Sequence, residues 1–188
     1  MPTTFTNQAT LSYNNQSIPS NVVTGVLTEV LSVSKTAIPA AYQNGNTITY
    51  AVQLVNSGTA ALTGLTLTDN LGAYTPAAGT AAVVPMTYQS DTLRYYRNGI
   101  LQATPTIAAT SPLTVTGLSI PAGGNTTLMY AVKTNQFTPY GAEESVTNTA
   151  TVTGGGLATP LTAEETVNAD PAPDLSVIKS MCPTTVTE

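Results

Sequence analysis

Apolar and polar residues alternate in short runs along most of the chain. In TITYAVQLVN (47–56), Ile48, Tyr50, Val52 and Leu54 fall on one side, and Thr47, Thr49, Ala51 and Gln53 on the other. A period of two marks a half-buried β-strand, because successive side chains point to opposite faces. The same pattern predicts strands at 30–37, 47–56, 62–68, 92–97, 113–120, 125–134, 145–153 and 160–168. Asn98-Gly99 between two such runs is a strong two-residue hairpin signal. Asn56-Ser57-Gly58 and the AGGN stretch at 122–125 are further turns, and 70–90 reads as a surface loop with a short edge strand. The glycines at 154–156 follow a strand and precede no helix, which makes them a hairpin turn and not a phosphate loop. No window carries useful helical periodicity. The chain is expected to be all-β, an Ig-like β-sandwich of about seven to nine strands.

Three of these strands break their own pattern. Lys35 shares a face with Leu31 and Val33, Asp69 with Leu65 and Leu67, and Asn148 with Val146, Ala150 and Val152. A buried amine needs a partner or a shifted pKa. A Lys, an Asp and an Asn directed into one core suggest a Lys–Asn isopeptide bond formed with the help of the Asp. Burial favours the neutral, nucleophilic amine. A carboxyl can polarise the carboxamide and pass protons to the departing ammonia, and the folded core holds the groups as neighbours. Asp69 would act once per molecule, so this is not enzymatic turnover. A plainer reading stays open: Lys35 snorkels to the rim and pairs with Asp69 while Asn148 caps a turn. Glu143 and Glu144 are the fallback acids, or solvated charges beside the strand.

Composition narrows the remaining classes. Only 8% of residues are charged, where about 25% is ordinary, so Thr, Ser, Asn and Gln must solubilise the surface. A net charge of −5 with five scattered basic residues excludes nucleic-acid binding. Without histidine and with Cys182 as the one cysteine, neither a Ser-His-Asp triad nor a His/Cys metal site can be assembled. No cofactor is expected. Glu164, Glu165, Asp170 and Asp174 are the one acidic concentration, read as linker charges in preference to a calcium site. Tyr88, Tyr95 and Tyr96 fit strand packing better than a ligand platform. Cys182 is either a passive thiol or an inter-subunit bridge. No apolar run reaches the ~20 residues of a membrane span. Residues 1–13 lack the basic and apolar regions of a secretory signal, which points to a removed signal or another export route.

The chain also repeats itself. FTNQATLSY (5–13) resembles VTNTATVTG (146–154), and LSVSKTAIP (31–39) resembles LSVIKSMCP (175–183). The offsets are 141 residues from Asn7 to Asn148 and 144 from Lys35 to Lys179, the length of a whole domain. The expected organisation is a hairpin resembling the end of a repeat (1–29), a complete sandwich (30–168), a Pro-rich linker (169–174) and the first strand of a next repeat (175–188). The terminal pieces suggest either a tandem array or strands exchanged between subunits. Asn7 and Lys179 are candidates for an inter-subunit crosslink.

The SK-x-A-x-P strand, NGNTITY, VNSG, LTLTD and the closing VTNTATV together resemble the DUF11 repeat domain of bacterial and archaeal surface proteins, over about residues 30–168. The resemblance implies an Ig-like or transthyretin-like sandwich with a structural role in surface layers, stalks or appendages, and neither turnover nor cofactor. Similar Gram-positive pilin and adhesin domains contain autocatalytic Lys–Asn bonds, which by resemblance puts Lys35 on the first strand, Asn148 on the penultimate one and Asp69 between them. The expected function is a self-associating, head-to-tail building block of an extracellular, cell-surface or spore-surface fibre. Met1 without a signal leans towards a spore appendage. The competing expectation is an adhesin module that contacts a glycan or host protein through the 70–90 loop or the Tyr-rich strand.

Overall fold

The computed structural model describes residues 3–27, 30–79, 81–141 and 143–170. The first four strands, β1 (Thr3–Asn7), β2 (Thr10–Tyr13), β3 (Gln16–Pro19) and β4 (Val23–Leu27), form one interrupted antiparallel ribbon. β1 pairs with β4, placing Phe5 opposite Gly25, and β2 pairs with β3, placing Leu11 opposite Ile18. Its turn uses Asn14 and Asn15 in left-handed conformation, which Asn tolerates better than most residues. The apolar positions Phe5, Leu11, Ile18 and Val23 all remain exposed.

Two sheets follow. The first runs β11 (Ile100–Leu101), β10 (Arg94–Arg97), β14 (Asn125–Thr134), β7 (Thr47–Asn56), β5 (Leu31–Ile38), with β9 (Met86–Tyr88) also on β14. The second runs β12 (Thr106–Thr110), β13 (Leu113–Ile120), β8 (Leu62–Asp69), β15 (Ser145–Gly154), β16 (Leu161–Ala169), β6 (Ala41–Tyr42). All pairings are antiparallel except β16 with β6. Their inner faces close one core. Ile48, Tyr50, Val52, Leu54, Leu128, Tyr130 and Val132 come from the first sheet, and Leu65, Leu67, Val115, Leu118, Ile120, Ala150, Val152 and Val167 from the second. Full burial of one Val or Leu stabilises by roughly 1.5–3 kcal/mol, so this double layer is the main source of stability. The protein is an all-β, Ig-like sandwich, and no helix occurs among the described residues.

Among the described residues of 30–170 there are twelve strands, above the seven to nine expected from periodicity. The additional strands are β6, β9, β11 and β12, of two to five residues. β11 and β12 lie on sheet edges and are almost wholly exposed; neither has an apolar stripe, and β11 is announced by the expected Asn98-Gly99 hairpin that joins it to β10. The expected loop at 70–90 does contain its short strand, β9. Residues 175–188, with Lys179 and Cys182, and most of the linker lie outside the described residues.

Candidate functional site

Lys35 sits in β5 between the exposed residues Ser34 and Thr36, so alternation turns its side chain inward. Its side chain is fully buried and does not snorkel. Nζ pairs with Oδ2 of Asp69 and lies 4.6 Å from the centre of the Tyr50 ring. Asp69 ends β8 on the core face of the opposite sheet and is fully buried. Its Oδ2 accepts a second hydrogen bond from the Tyr130 hydroxyl, and its Oδ1 accepts the Leu71 N–H at 3.0 Å. Desolvation lowers the Lys35 pKa to about 8 against the opposing pull of the Asp69 charge. Burial is also the main cause that raises both Tyr50 and Tyr130 above the ordinary phenol range. A cation, a carboxyl and two phenols thus share one buried cluster walled by the stacked Tyr50–Tyr130 pair, with ring centres 6.0 Å apart.

Asn148 lies on β15, which pairs with β8 so that Ala150 is opposite Asp69. Alternation therefore puts Asn148 two residues along the same inner face, fully buried. Its Oδ1 accepts the Gly72 N–H at 3.2 Å. Its Nδ2 is buried without a hydrogen-bond partner. The carboxamide is near enough to ease ionisation of the Tyr50 and Tyr130 hydroxyls, yet Nδ2 itself satisfies no hydrogen-bond geometry. A buried amide donor left unpaired costs about 1–3 kcal/mol. Nδ2 lies beside a carboxyl that already accepts three hydrogen bonds, and with the Tyr88 hydroxyl it is one of two buried side-chain polar atoms without a partner among the described residues.

The turn from Asp69 to Gly72 joins these groups. Leu71 and Gly72 adopt φ of +54° and +73°. A Cβ on Gly72 would come within 2.4 Å of Val146 Cγ1 and 2.9 Å of Met86 Cε, so both conformation and space require glycine. Asn70 accepts from Gly72 N–H at 2.9 Å and from Thr149 N–H at 3.0 Å through its Oδ1, and its own N–H donates to the Thr149 carbonyl at 3.0 Å.

The remaining candidates lie elsewhere. Asn7 ends β1 and is exposed, and Glu143 and Glu144 are exposed, away from the buried acid position that Asp69 fills. Glu165 stands opposite Asn148 on β16, half-buried, and adds a weak attraction for the Lys35 charge. Glu164 accepts from Thr149 Oγ1 at 3.2 Å, and Asp170 from Gln43 Nε2 at 3.3 Å. Among the described residues no three His, Cys, Asp or Glu side chains converge as metal ligands. Tyr88 and Tyr95 belong to the core, and Tyr96 is half-buried. Tyr50, Tyr130, Asn70 and Gly72 are site residues that motif reading passed over. The two tyrosines carry the same signal as Lys35, a polar atom inside an otherwise apolar stripe.

No protein-family model matches the sequence, and no curated protein matches it. Solved structures do match. A variant of BcpA, the major pilin subunit of Bacillus cereus, superposes with a TM-score of 0.53 at 12% identity, covering 88% of this chain and 48% of that one. The full-length major pilin RrgB of Streptococcus pneumoniae gives 0.52 at 10% identity, over 69% and 24%. The N-terminal domain of the Streptococcus gordonii adhesin Sgo0707 gives 0.51 at 14% identity, over 73% and 32%. The fold is similar to that of pilin and adhesin domains. At these identities the likeness concerns the fold alone, and the chain spans about a quarter to a half of the length of these structures.

Proposed function

We propose that this protein is a structural subunit of an extracellular fibre or appendage, on a cell or spore surface, and that its sandwich locks itself with an isopeptide bond between Lys35 and Asn148. The reading includes membership of the DUF11-type repeats and no catalytic turnover. One observation carries it: a fully buried Lys35–Asp69 pair beside a buried Asn148 whose Nδ2 has no partner. An ordinary salt bridge accounts for the pair but not for the orphaned nitrogen. In the crosslinking reaction that nitrogen is the leaving group.

The chemistry balances within the three residues. With the shared proton on the carboxyl, the Lys35 amine is neutral and can attack Cγ of Asn148. The Nζ–Cγ bond forms, Asp69 transfers a proton to Nδ2 and accepts one from Nζ, the Cγ–Nδ2 bond breaks and ammonia leaves. The carboxyl ends as it began. Holding amine and carboxamide in one buried cluster replaces a bimolecular encounter with a unimolecular step.

Head-to-tail assembly rests on the repeat of the Asn and Lys strands at the two ends of the chain, and on the exposed apolar stripe of the N-terminal ribbon. Intact-mass spectrometry tests the bond: the purified protein should be lighter than its sequence by one ammonia, and Lys35→Ala should restore the full mass. A wild-type protein of full mass ends this reading. Negative-stain microscopy tests assembly, with fibres expected at high concentration. A monodisperse monomer that binds a glycan array would instead favour the adhesin module.

A further inference from the structure

We infer that Asn70 is a positioning residue for bond formation and that the Gly72 N–H is the donor that stabilises the charge developing on Asn148. The inference rests on the crosslinking reading above. Attack on Cγ moves negative charge onto Oδ1 of Asn148. Asp69 has three donors of its own, from Lys35, Tyr130 and the Leu71 N–H. The donor that reaches Asn148 Oδ1 is the Gly72 N–H, at 3.2 Å. A donor fixed in advance where charge appears, away from water, is the arrangement that stabilises tetrahedral intermediates of acyl transfer.

What fixes this N–H is Asn70. Its Oδ1 bridges Gly72 N–H and Thr149 N–H, and its backbone N–H bonds the Thr149 carbonyl. The turn is thereby stapled to β15 at the residue following Asn148. Two successive left-handed residues, Leu71 and Gly72, are needed to bring the N–H round, and for the buried Leu71 that conformation is uncommon. The resting Gly72 N–H is shared between Asn70 at 2.9 Å and Asn148 at 3.2 Å. Growing charge on Asn148 would draw it across.

The test follows ammonia loss by intact mass at timed intervals after cell-free synthesis. Asn70→Ala removes the bridge and should slow the bond by on the order of 10²-fold, the cost of a small misplacement of reacting groups. Asn70→Asp keeps the acceptor and should stay near the wild-type rate. Exchanging the Leu71–Gly72 amide for an ester removes the N–H while leaving the Asn70–Thr149 bonds, and should be slow even if Asn70→Ala fails to fold. A purely structural role would lower melting temperature without changing the rate of folded molecules. If the wild type loses ammonia and either Asn70→Ala or the ester reacts as fast, the inference is wrong and the crosslink stands. Equal slowing by Asn70→Asp and Asn70→Ala also overturns it. A wild type that never loses ammonia removes both.

Discussion

Replacing Asn148 with Ala would separate the proposed bond from the groups that surround it. Lys35 and Asn148 are 113 residues apart (148 − 35), so a bond between them closes nearly the whole sandwich into a loop. The chain-entropy relation for a cross-link of that span gives about 4.8 kcal/mol of stabilisation through the unfolded state. That is comparable with the whole stability of an ordinary domain, about 5–15 kcal/mol. The direct cost of the substitution is small by comparison. Nδ2 makes no hydrogen bond, and Gly72 N–H keeps its shorter partner on Asn70, which leaves about 1 kcal/mol for the lost Oδ1 contact. Asn148→Ala should therefore melt on the order of 10–20 °C below the wild type. Calorimetry on Asn148→Ala, and on the same change made in a Lys35→Met background, completes a double-mutant cycle. In that background no bond can form, and the substitution should cost only about 1 kcal/mol. Equal costs in both backgrounds would refute the covalent account.

The pH dependence follows from Lys35, whose pKa is lowered to about 8 chiefly by burial. The crosslinking rate, read as ammonia loss over time, should hold up to about pH 8 and fall above it, where the pair loses the shared proton that Asp69 passes to Nδ2. The uncrosslinked Asn148→Ala variant should also gain stability from about pH 8 towards 10, because there the unfolded lysine still binds a proton that the folded one has lost. Above 10 the gain should reverse, as the phenols ionise in the unfolded chain while burial keeps Tyr50 and Tyr130 protonated, and denaturant melts across pH would check both limbs. Tyr130→Phe in the uncrosslinked background removes a donor to a buried carboxyl and should cost about 1.5–3 kcal/mol by urea unfolding. Gly72→Ala forces a Cβ against both Val146 and Met86, and should cost about 1–3 kcal/mol from crowding alone, visible as a lower urea midpoint.

The core of the sandwich was legible because each main strand buries one face and exposes the other. Lys35, Asp69 and Asn148 stood out for the same reason: each interrupts a stripe, and each is buried in the fold. Tyr50 and Tyr130 were harder to read, since a tyrosine in a stripe passes for an apolar residue until its hydroxyl is placed. Asn70 and Gly72 were illegible for a different reason. Asn-Leu-Gly after a strand reads as an ordinary turn, and only the pairing of β8 with β15 brings that turn against Asn148. The edge strand β11 was legible from its Asn98-Gly99 turn, whereas β12 escaped because its exposed residues carry no apolar stripe.

A bond between Lys35 and Asn148 would also determine which part of the domain a pulling force can reach. A bond from β5 to β15 would enclose β6 through β14, and none of their pairings could be stretched from outside. β16 lies beyond Asn148, paired along β15 from Ser145–Asn168 to Val152–Leu161, and a force at its C-terminal end would unzip it. That end is held separately. Asn168 and Ala169 pair in parallel with Ala41 and Tyr42, and the N–H groups of Asn168, Ala169 and Asp170 bond the carbonyls of Ala40, Glu144 and Tyr42. β6 and Glu144 both belong to the enclosed segment. Two residues of β6 thus tie β16 to the segment such a bond would enclose, which would give this two-residue strand a mechanical role that its burial alone would not suggest.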